Sequence, residues 1–165
     1  MCDGKYIVFL NPDIQLTPGW LETMVAWSQK YPEAGVIEAT IVHYNGIIDH
    51  AGYKDGIVFG RGENLADWKS HSGGSSELPV DMIHGCCFLV KREIIPVVGK
   101  FDERFFLYCE ENDNCIRVRK TGFTIVCSPA VVYHYGSGAG IPRHKRTEYL
   151  RQSMEIFNAK WKMPL

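Results

Sequence analysis

The stretch YIVFLNPD, Tyr6–Asp13, decides the fold: five apolar residues in a row lead into Asn11, a proline and Asp13. A continuous apolar run of this length is typical of a strand in a parallel sheet, buried on both faces. An acid just past the carboxyl end of such a strand lies where open α/β sheets bind their ligands. The stretch therefore predicts an α/β protein with a ligand site where its first strand ends.

The composition is that of an ordinary globular domain. The chain has 165 residues, with 18 Lys and Arg against 19 Asp and Glu, so its net charge is −1. A nearly neutral chain gives no electrostatic reason to expect nucleic acid as a partner. The apolar runs are strand-sized and the first residues do not resemble a secretory signal, so we expect no transmembrane helix and a cytoplasmic location.

Six cysteines are scattered along the chain, most of them in apolar stretches. None forms a C-x-x-C pair; they are Cys2, Cys86, Cys87, Cys109, Cys115 and Cys127. This spacing disfavours a zinc site. We expect reduced, partly buried thiols.

Helix and strand patterns alternate after the first strand. Thr17 and Pro18 predict the N-cap and first residue of a helix that stops at Tyr31-Pro32, and the turn signals Asn45-Gly46 and Asp55-Gly56 each predict a hairpin. The polar, glycine- and serine-rich residues 60–78 are predicted to be a loop. The other predicted elements are strands at Gly35–Val42, Cys86–Val90, Phe123–Cys127 and Ala130–Tyr135, helices at Glu110–Lys120 and Arg143–Trp161, and a glycine-rich loop at 136–140.

Two groups of oxygen ligands stand out. Asn11 and Asp13 form either a simple Asn-Pro turn or part of a Mg²⁺ or Mn²⁺ site, since both ions prefer oxygen ligands. Glu110, Glu111 and Asp113 either cap a helix or provide a general base. The aromatic run before them favours the second interpretation, because a carboxyl group in apolar surroundings has a raised pKa.

Two histidines and a basic run complete the candidates. His134 ends an apolar strand and is either a core residue or a metal ligand. His84 precedes Gly85, which either marks a bulge or lets a ligand approach the backbone closely. The basic residues at the start of the last helix form either a solvated face or a site for a diphosphate or anionic lipid headgroups; they are Arg143, His144, Lys145, Arg146 and Arg151.

In their order along the chain and in their residues, these sequence segments resemble the family 2 glycosyltransferases of the GT-A fold. The resemblance covers nearly the whole chain and rests on GKYIVFLNPD, LTPGWLE, IIDHAG, HGCCFLVKR, VGKFDERFFLYCEENDNCIR and AVVYHYGSG. It implies a mixed, mostly parallel sheet flanked by helices. It also implies inverting transfer of a sugar from a nucleotide-diphospho-sugar to a hydroxyl of a carbohydrate or lipid-linked acceptor.

The resemblance also assigns roles to individual residues. It makes Asp13 and His134 ligands of a divalent metal on the donor diphosphate, and it places Asn11, His84, Gly85 and Asp113 beside donor and acceptor. Glu111, next to Glu110, matches the catalytic base, with glutamate where the family has aspartate. Asn11 stands where the family has the first acid of its metal-binding element.

The resemblance leads us to expect that residues 1–165 form one domain, the C-terminal two-thirds of a glycosyltransferase domain. The nucleotide-binding half that begins family members is not recognised here, so we expect weak activity. We also expect self-association through the exposed edge of the first strand, and peripheral contact with the inner membrane face. The departures at Asn11 and Glu111 leave open a non-catalytic carbohydrate- or partner-binding module, and a nucleotidyltransferase is a third alternative.

Overall fold

The structure, a computed structural model, describes residues 3–75, 79–136 and 140–162. Cys2 lies outside the described residues, as do parts of two predicted loops, 76–78 and 137–139. Within the described ranges, no helix has both the length and the apolar character needed to cross a lipid bilayer.

Strands and helices alternate along the chain. The strands are β1 Tyr6–Leu10, β2 Ile14–Leu16, β3 Ala34–Val42, β4 Ile48–His50, β5 Tyr53–Lys54, β6 Ile57–Val58, β7 Cys87–Lys91 and β8 Thr124–His134. The helices are α1 Trp20–Lys30, α2 Leu65–Ser72, α3 Ile95–Val98, α4 Glu110–Lys120 and α5 Arg143–Trp161, with a 3₁₀ turn at Arg92–Ile94.

One six-stranded sheet organises the molecule. Its order is β1-β7-β3-β8-β2, with β4 paired to β3. The predicted α/β class and mixed sheet are confirmed, but β3 and β8 form the parallel pair while the other pairings in the described sheet are antiparallel. The expectation of mostly parallel pairing is therefore wrong. Among these antiparallel pairs in the described sheet, β3 and β4 are joined by a hairpin, whereas β1 with β7, β3 with β7 and β2 with β8 pair segments that are far apart in the sequence.

The first strand differs from its predicted environment. β1 pairs antiparallel with β7 at the edge of the sheet, and its residues are half-buried or exposed. The strand buried on both faces is β3, whose nine residues are all buried. An apolar run marks a strand, but it does not distinguish an edge position from a central one.

The core lies on both sides of β3. One cluster packs Met24 of α1 against Ile37, Leu89 and Val132. The opposite cluster packs Val118 of α4 against the other face of the sheet. The sheet between these layers ends at the cavity described below.

Three local predictions are corrected. Thr17 does not cap α1: its hydroxyl donates to the Val131 carbonyl at 2.7 Å, and Gly19 is the N-cap residue. Residues 60–78 contain α2, which is capped by the Asn64 side chain and anchored by buried Trp68. The two strands predicted around Pro129 are one strand, β8, with a register shift opposite Ala39 and Thr40. Proline interrupts the ladder hydrogen bonds there without ending the strand.

The two hairpin turns and the last two helices match their predicted positions. Gly46, Asp55 and Gly56 all have positive φ, as tight hairpin turns require. Helix α5 has the predicted bounds, but Leu150 and Met154 of its expected apolar stripe are 40% and 48% exposed, while Phe157 is buried.

Candidate active site

A cavity of about 520 Å³ lies at the end of the sheet where β1 and β8 finish. It collects residues from segments far apart in the sequence. Most of the predicted site residues line it: Asn11, Asp13, His84, Gly85, Glu110, Glu111 and His134. Since these residues belong to separate sequence motifs, their presence around one cavity supports a single site.

The end of β1 and the end of β8 bring a carboxylate and an imidazole together. Tyr135 N–H donates to the Asp13 carbonyl at 3.0 Å, which ties the two segments. Asp13 Oδ2 then lies 3.4 Å from His134 Nε2. His134 is only 9% exposed, and its Nδ1 is buried with no hydrogen-bond partner among the described residues. The pair offers one oxygen and one nitrogen ligand at a spacing that suits a shared divalent ion.

Helix α4 begins inside the cavity with Glu110 and Glu111. Burial, and then the charge of Glu110, raise the pKa of Glu111 to about 8. Both side chains have a carboxylate oxygen, Oε2, that is buried without a hydrogen-bond partner in the described part of the chain. Such a carboxyl group is largely protonated at physiological pH, and its ionised form, which grows as the pH rises, can take up a proton in a reaction.

The backbone leading into α4 is strained. Tyr108 and Cys109 both have positive φ, 71° and 66°, which non-glycine residues adopt at a cost. Tyr108 also lines the cavity. The two left-handed residues turn the chain so that α4 starts with its two glutamates facing the cavity.

Gly85 lies directly against the candidate base. Its φ is 85°, and a Cβ placed on it would lie 3.0 Å from Glu111 Cγ. A side chain at this position would therefore displace Glu111. The close neighbour of Gly85 is thus the side chain of Glu111, and the predicted approach of a ligand to the Gly85 backbone stays a prediction.

A row of three histidine rings runs along the cavity. The centroids of His50 and His84 are 5.7 Å apart, and those of His84 and His134 are 5.3 Å apart, with edge-to-face geometry. Burial and the neighbouring imidazoles lower the pKa of His84. The ring of His84 also meets Asp49, with Nε2 and Oδ2 3.5 Å apart.

A fully buried carboxylate supports this row. Glu38, in the middle of β3, accepts the His84 backbone N–H with one oxygen, while its other oxygen lies 3.0 Å from His50 Nδ1. Burial opposes the charged form of His50, yet this carboxylate raises the pKa of His50 above its usual value. Glu38 thereby joins β3, β4 and the segment that carries His84.

Asp113 does not belong to the cavity lining, contrary to its expected place beside donor and acceptor. It is fully buried, and both of its oxygens are engaged within the protein. Arg117 Nε donates at 2.9 Å to one oxygen, while Lys160 Nζ and Trp161 Nε1 lie 2.6 and 3.0 Å from the other. Asp113 joins α4 to the end of α5, because its buried carboxylate contacts Lys160 and Trp161.

The basic run at the start of α5 divides between two surroundings. Arg146 lines the cavity, and its Nε is buried without a hydrogen-bond partner among the described residues. Arg143, His144 and Lys145 are exposed, and Arg151 forms an exposed ion pair with Glu155. Only Arg146 of this run therefore contributes to the site.

Sequence reasoning missed Glu38, His50 and Tyr108. Glu38 gave a signal, since it is the one charged residue within an otherwise apolar strand. His50 stands within the quoted IIDHAG motif, but nothing in the sequence indicated that β4 would bring it beside His84.

Comparisons with known proteins find relatives among sugar transferases. The L-rhamnosyltransferase of Mycobacterium tuberculosis that acts on N-acetylglucosaminyl-diphospho-decaprenol is 27% identical over 97% of this chain and 58% of its own length. The rhamnosyltransferase WbbL of Escherichia coli is 31% identical over 81% of this chain and 53% of its own length. This chain thus matches little more than half the length of either relative.

A solved structure shares the fold. The crystal structure of GalNAc-T7 with UDP, GalNAc and Mn²⁺ superposes with a TM-score of 0.56 at 15% identity, over 80% of this chain and 28% of that one. This similarity shows a GT-A fold. The sequence model described as glycosyl transferase family 2 matches residues 1–99, more than half of the chain. The chain belongs to glycosyl transferase family 2.

Proposed function

We propose that the protein transfers a sugar from a nucleotide-diphospho-sugar to a hydroxyl group of its acceptor, with inversion at the anomeric carbon. The observation that carries the proposal is the pairing, within one cavity, of Glu111, whose pKa is raised to about 8, with Asp13 and His134, 3.4 Å apart. Such a cavity holds a proton acceptor and a place for a cation.

Glu111 acts as the general base. Its carboxylate takes the proton of the acceptor hydroxyl while the acceptor oxygen forms its bond to the anomeric carbon and the nucleoside diphosphate departs. A positioned base of this kind contributes about 10²–10⁴-fold to the rate. One displacement without a covalent sugar–enzyme intermediate inverts the anomeric carbon.

Asp13 and His134 fit a divalent cation, Mg²⁺ or Mn²⁺. The Asp13 Oδ2 and His134 Nε2 atoms face each other at 3.4 Å, a spacing that suits one ion. Held by Asp13 and His134, such a cation would neutralise the charge of the departing diphosphate, an effect worth several kcal/mol. Asn11 and Arg146 line the same cavity and can hold phosphate or sugar oxygens.

The names of the relatives suggest which substrates to try first. Two of them are called rhamnosyltransferases, and one of these acts on a diphospho-decaprenol acceptor. We therefore propose an L-rhamnosyl or similar hexosyl donor and a carbohydrate or lipid-linked acceptor. Residues 1–165 would act as one domain, in the cytoplasm, with the exposed basic residues of α5 near the membrane surface.

The test is a transfer assay on the full-length gene product. It should release nucleoside diphosphate from a nucleotide-diphospho-sugar only when acceptor is present, and it should not process nucleoside triphosphates. The Glu111→Gln variant should lose at least about 100-fold in kcat. The control is Glu103→Gln, because Glu103 is an exposed acid just before the same helix.

A non-catalytic carbohydrate-binding module is the second candidate, favoured by glutamate at position 111 and asparagine at position 11. Transfer that is unchanged in Glu111→Gln would reject Glu111 as the base. Carbohydrate binding without any transfer would favour the module.

A further inference from the structure

Three soft metal ligands converge at the cavity. The ligand atoms of His84, Cys86 and His134 all lie within 4.8 Å of one another. Cys86 is fully buried and His134 nearly so. The residues come from the segment before β7 and from the end of β8, so no sequence spacing could reveal the group.

Both imidazoles of the group lie beside a carboxylate. His84 Nε2 lies 3.5 Å from Asp49 Oδ2, and His134 Nε2 lies 3.4 Å from Asp13 Oδ2. The Nδ1 atom of each ring is buried with no hydrogen-bond partner in the described residues. A metal-ligating histidine commonly directs its second nitrogen at a carboxylate, which fixes the ring. A buried nitrogen without a partner is otherwise costly.

The charges around the group favour a cation. Three carboxylates surround it: Glu38, which is fully buried, and the less buried Asp13 and Asp49. Glu38 also fixes the backbone of His84 through its N–H. A doubly charged ion at the group would compensate this negative charge, which burial leaves poorly solvated.

We propose that His84, Cys86 and His134 bind a zinc-class ion, with Zn²⁺ as the natural occupant. Two imidazole nitrogens and a thiolate select Zn²⁺ over Mg²⁺, which prefers oxygen ligands. As the sulfur–metal bond forms, the Cys86 thiol releases its proton to solvent. Zinc binding does not depend on the proposed sugar transfer. Zinc would take His134 through Nδ1, whereas the cation proposed for transfer faces Nε2 beside Asp13, so the two proposals use opposite nitrogens of one ring and are tested separately.

Cobalt titration of the 165-residue chain tests the proposal, because Co²⁺ replaces Zn²⁺ and reports a bound thiolate by its sulfur-to-metal charge-transfer absorption. We expect one Co²⁺ per chain with this band, displacement of the band by Zn²⁺, and no displacement by excess Mg²⁺. Cys86→Ser should abolish the band, and His84→Gln should weaken Co²⁺ binding about 10-fold or more.

Cys87→Ser is the matched control, since Cys87 is the adjacent cysteine, equally buried and outside the group. Its variant should keep the band. Circular dichroism establishes that each variant is folded. The proposal is overturned if folded wild-type chain shows no band, if the band survives Cys86→Ser, or if Mg²⁺ displaces Co²⁺. None of these results would bear on transfer, which is measured separately by nucleoside diphosphate release.

Discussion

At the scale of single residues, the surroundings of Glu111 set the pH at which the site works. Burial and Glu110 raise its pKa to about 8, so at neutral pH most of the carboxyl is protonated and cannot accept a proton. We expect kcat/KM to rise with pH through about 8. The measurement is a profile between about pH 6 and pH 9 on the full-length product. A flat profile, or one that falls over this range, would contradict the assignment.

The same pKa has an opposite effect on folding. The folded state keeps the Glu111 proton up to about pH 8, while the unfolded chain releases it near the ordinary value of 4.5. The stability associated with the neutral carboxyl is therefore full below that ordinary value and is lost as pH rises toward 8. Glu111→Gln should gain stability over wild type across this window, which urea unfolding at a series of pH values would detect.

Single residues also mark the limits of sequence reasoning. The acids Glu110 and Glu111 and the pair Asp13 and His134 were predictable, because each follows a strand end or begins a helix. Glu38 was not, because its role depends on partners from two other segments. The spacing of Cys86 to the other cysteines disfavours a metal site, whereas its neighbours in space are two histidines.

At the scale of elements, Gly85 couples the segment before β7 to helix α4. Gly85→Ala should reduce transfer strongly, because the new Cβ would displace Glu111 and the residue would also have to keep a φ of 85°. The cost in stability should be about 1–3 kcal/mol. Gly56→Ala is the control: its φ is 87°, but a Cβ there meets nothing within 4 Å. Equal loss of activity in both variants would contradict the contact with Glu111.

Asp113 is the second element-scale test, since it holds α4 and α5 together. Asp113→Ala leaves the partly buried Arg117 without its anion and removes one of the two carboxylates of Lys160, which keeps its contact with Asp102; we expect a loss of about 3–5 kcal/mol. Glu155→Ala removes an exposed pair of the same i,i+4 spacing, with Arg151, and should cost no more than about 1 kcal/mol. Chemical denaturation of both variants makes the comparison, and similar losses would show that burial of the pair is unimportant.

Elements with strong local signals were predicted well, and those that depend on distant partners were not. The hairpin turns and α4 carry their own turn and capping residues. Helix α2 was missed because its sequence is polar, and one tryptophan, Trp68, supplies most of its burial. The edge position of β1 depends on β7, some eighty residues further on, so its own residues could not indicate it.

At the scale of the whole molecule, β1 leaves one side of the sheet open. Among the described residues it pairs with β7 alone. We expect the purified 165-residue chain to self-associate, because unpaired backbone groups along an edge recruit another strand. Sedimentation velocity over a range of concentrations measures this, and Leu10→Lys should reduce it, since Leu10 is 45% exposed. Sedimentation that does not change with concentration would contradict the expectation.

The residues that line the cavity are as far apart in the sequence as Asn11 and Arg146. The parallel pair β3 and β8 lies between these two positions in the sequence. Complete loss of the cavity disturbs the central sheet, because His50 ends β4 and His134 ends β8. Ligand binding is therefore linked to unfolding of the entire chain: a ligand at 100 times its Kd adds about 2.7 kcal/mol to global stability. Amide hydrogens deep in β3 should then exchange more slowly on binding, although they never touch the ligand.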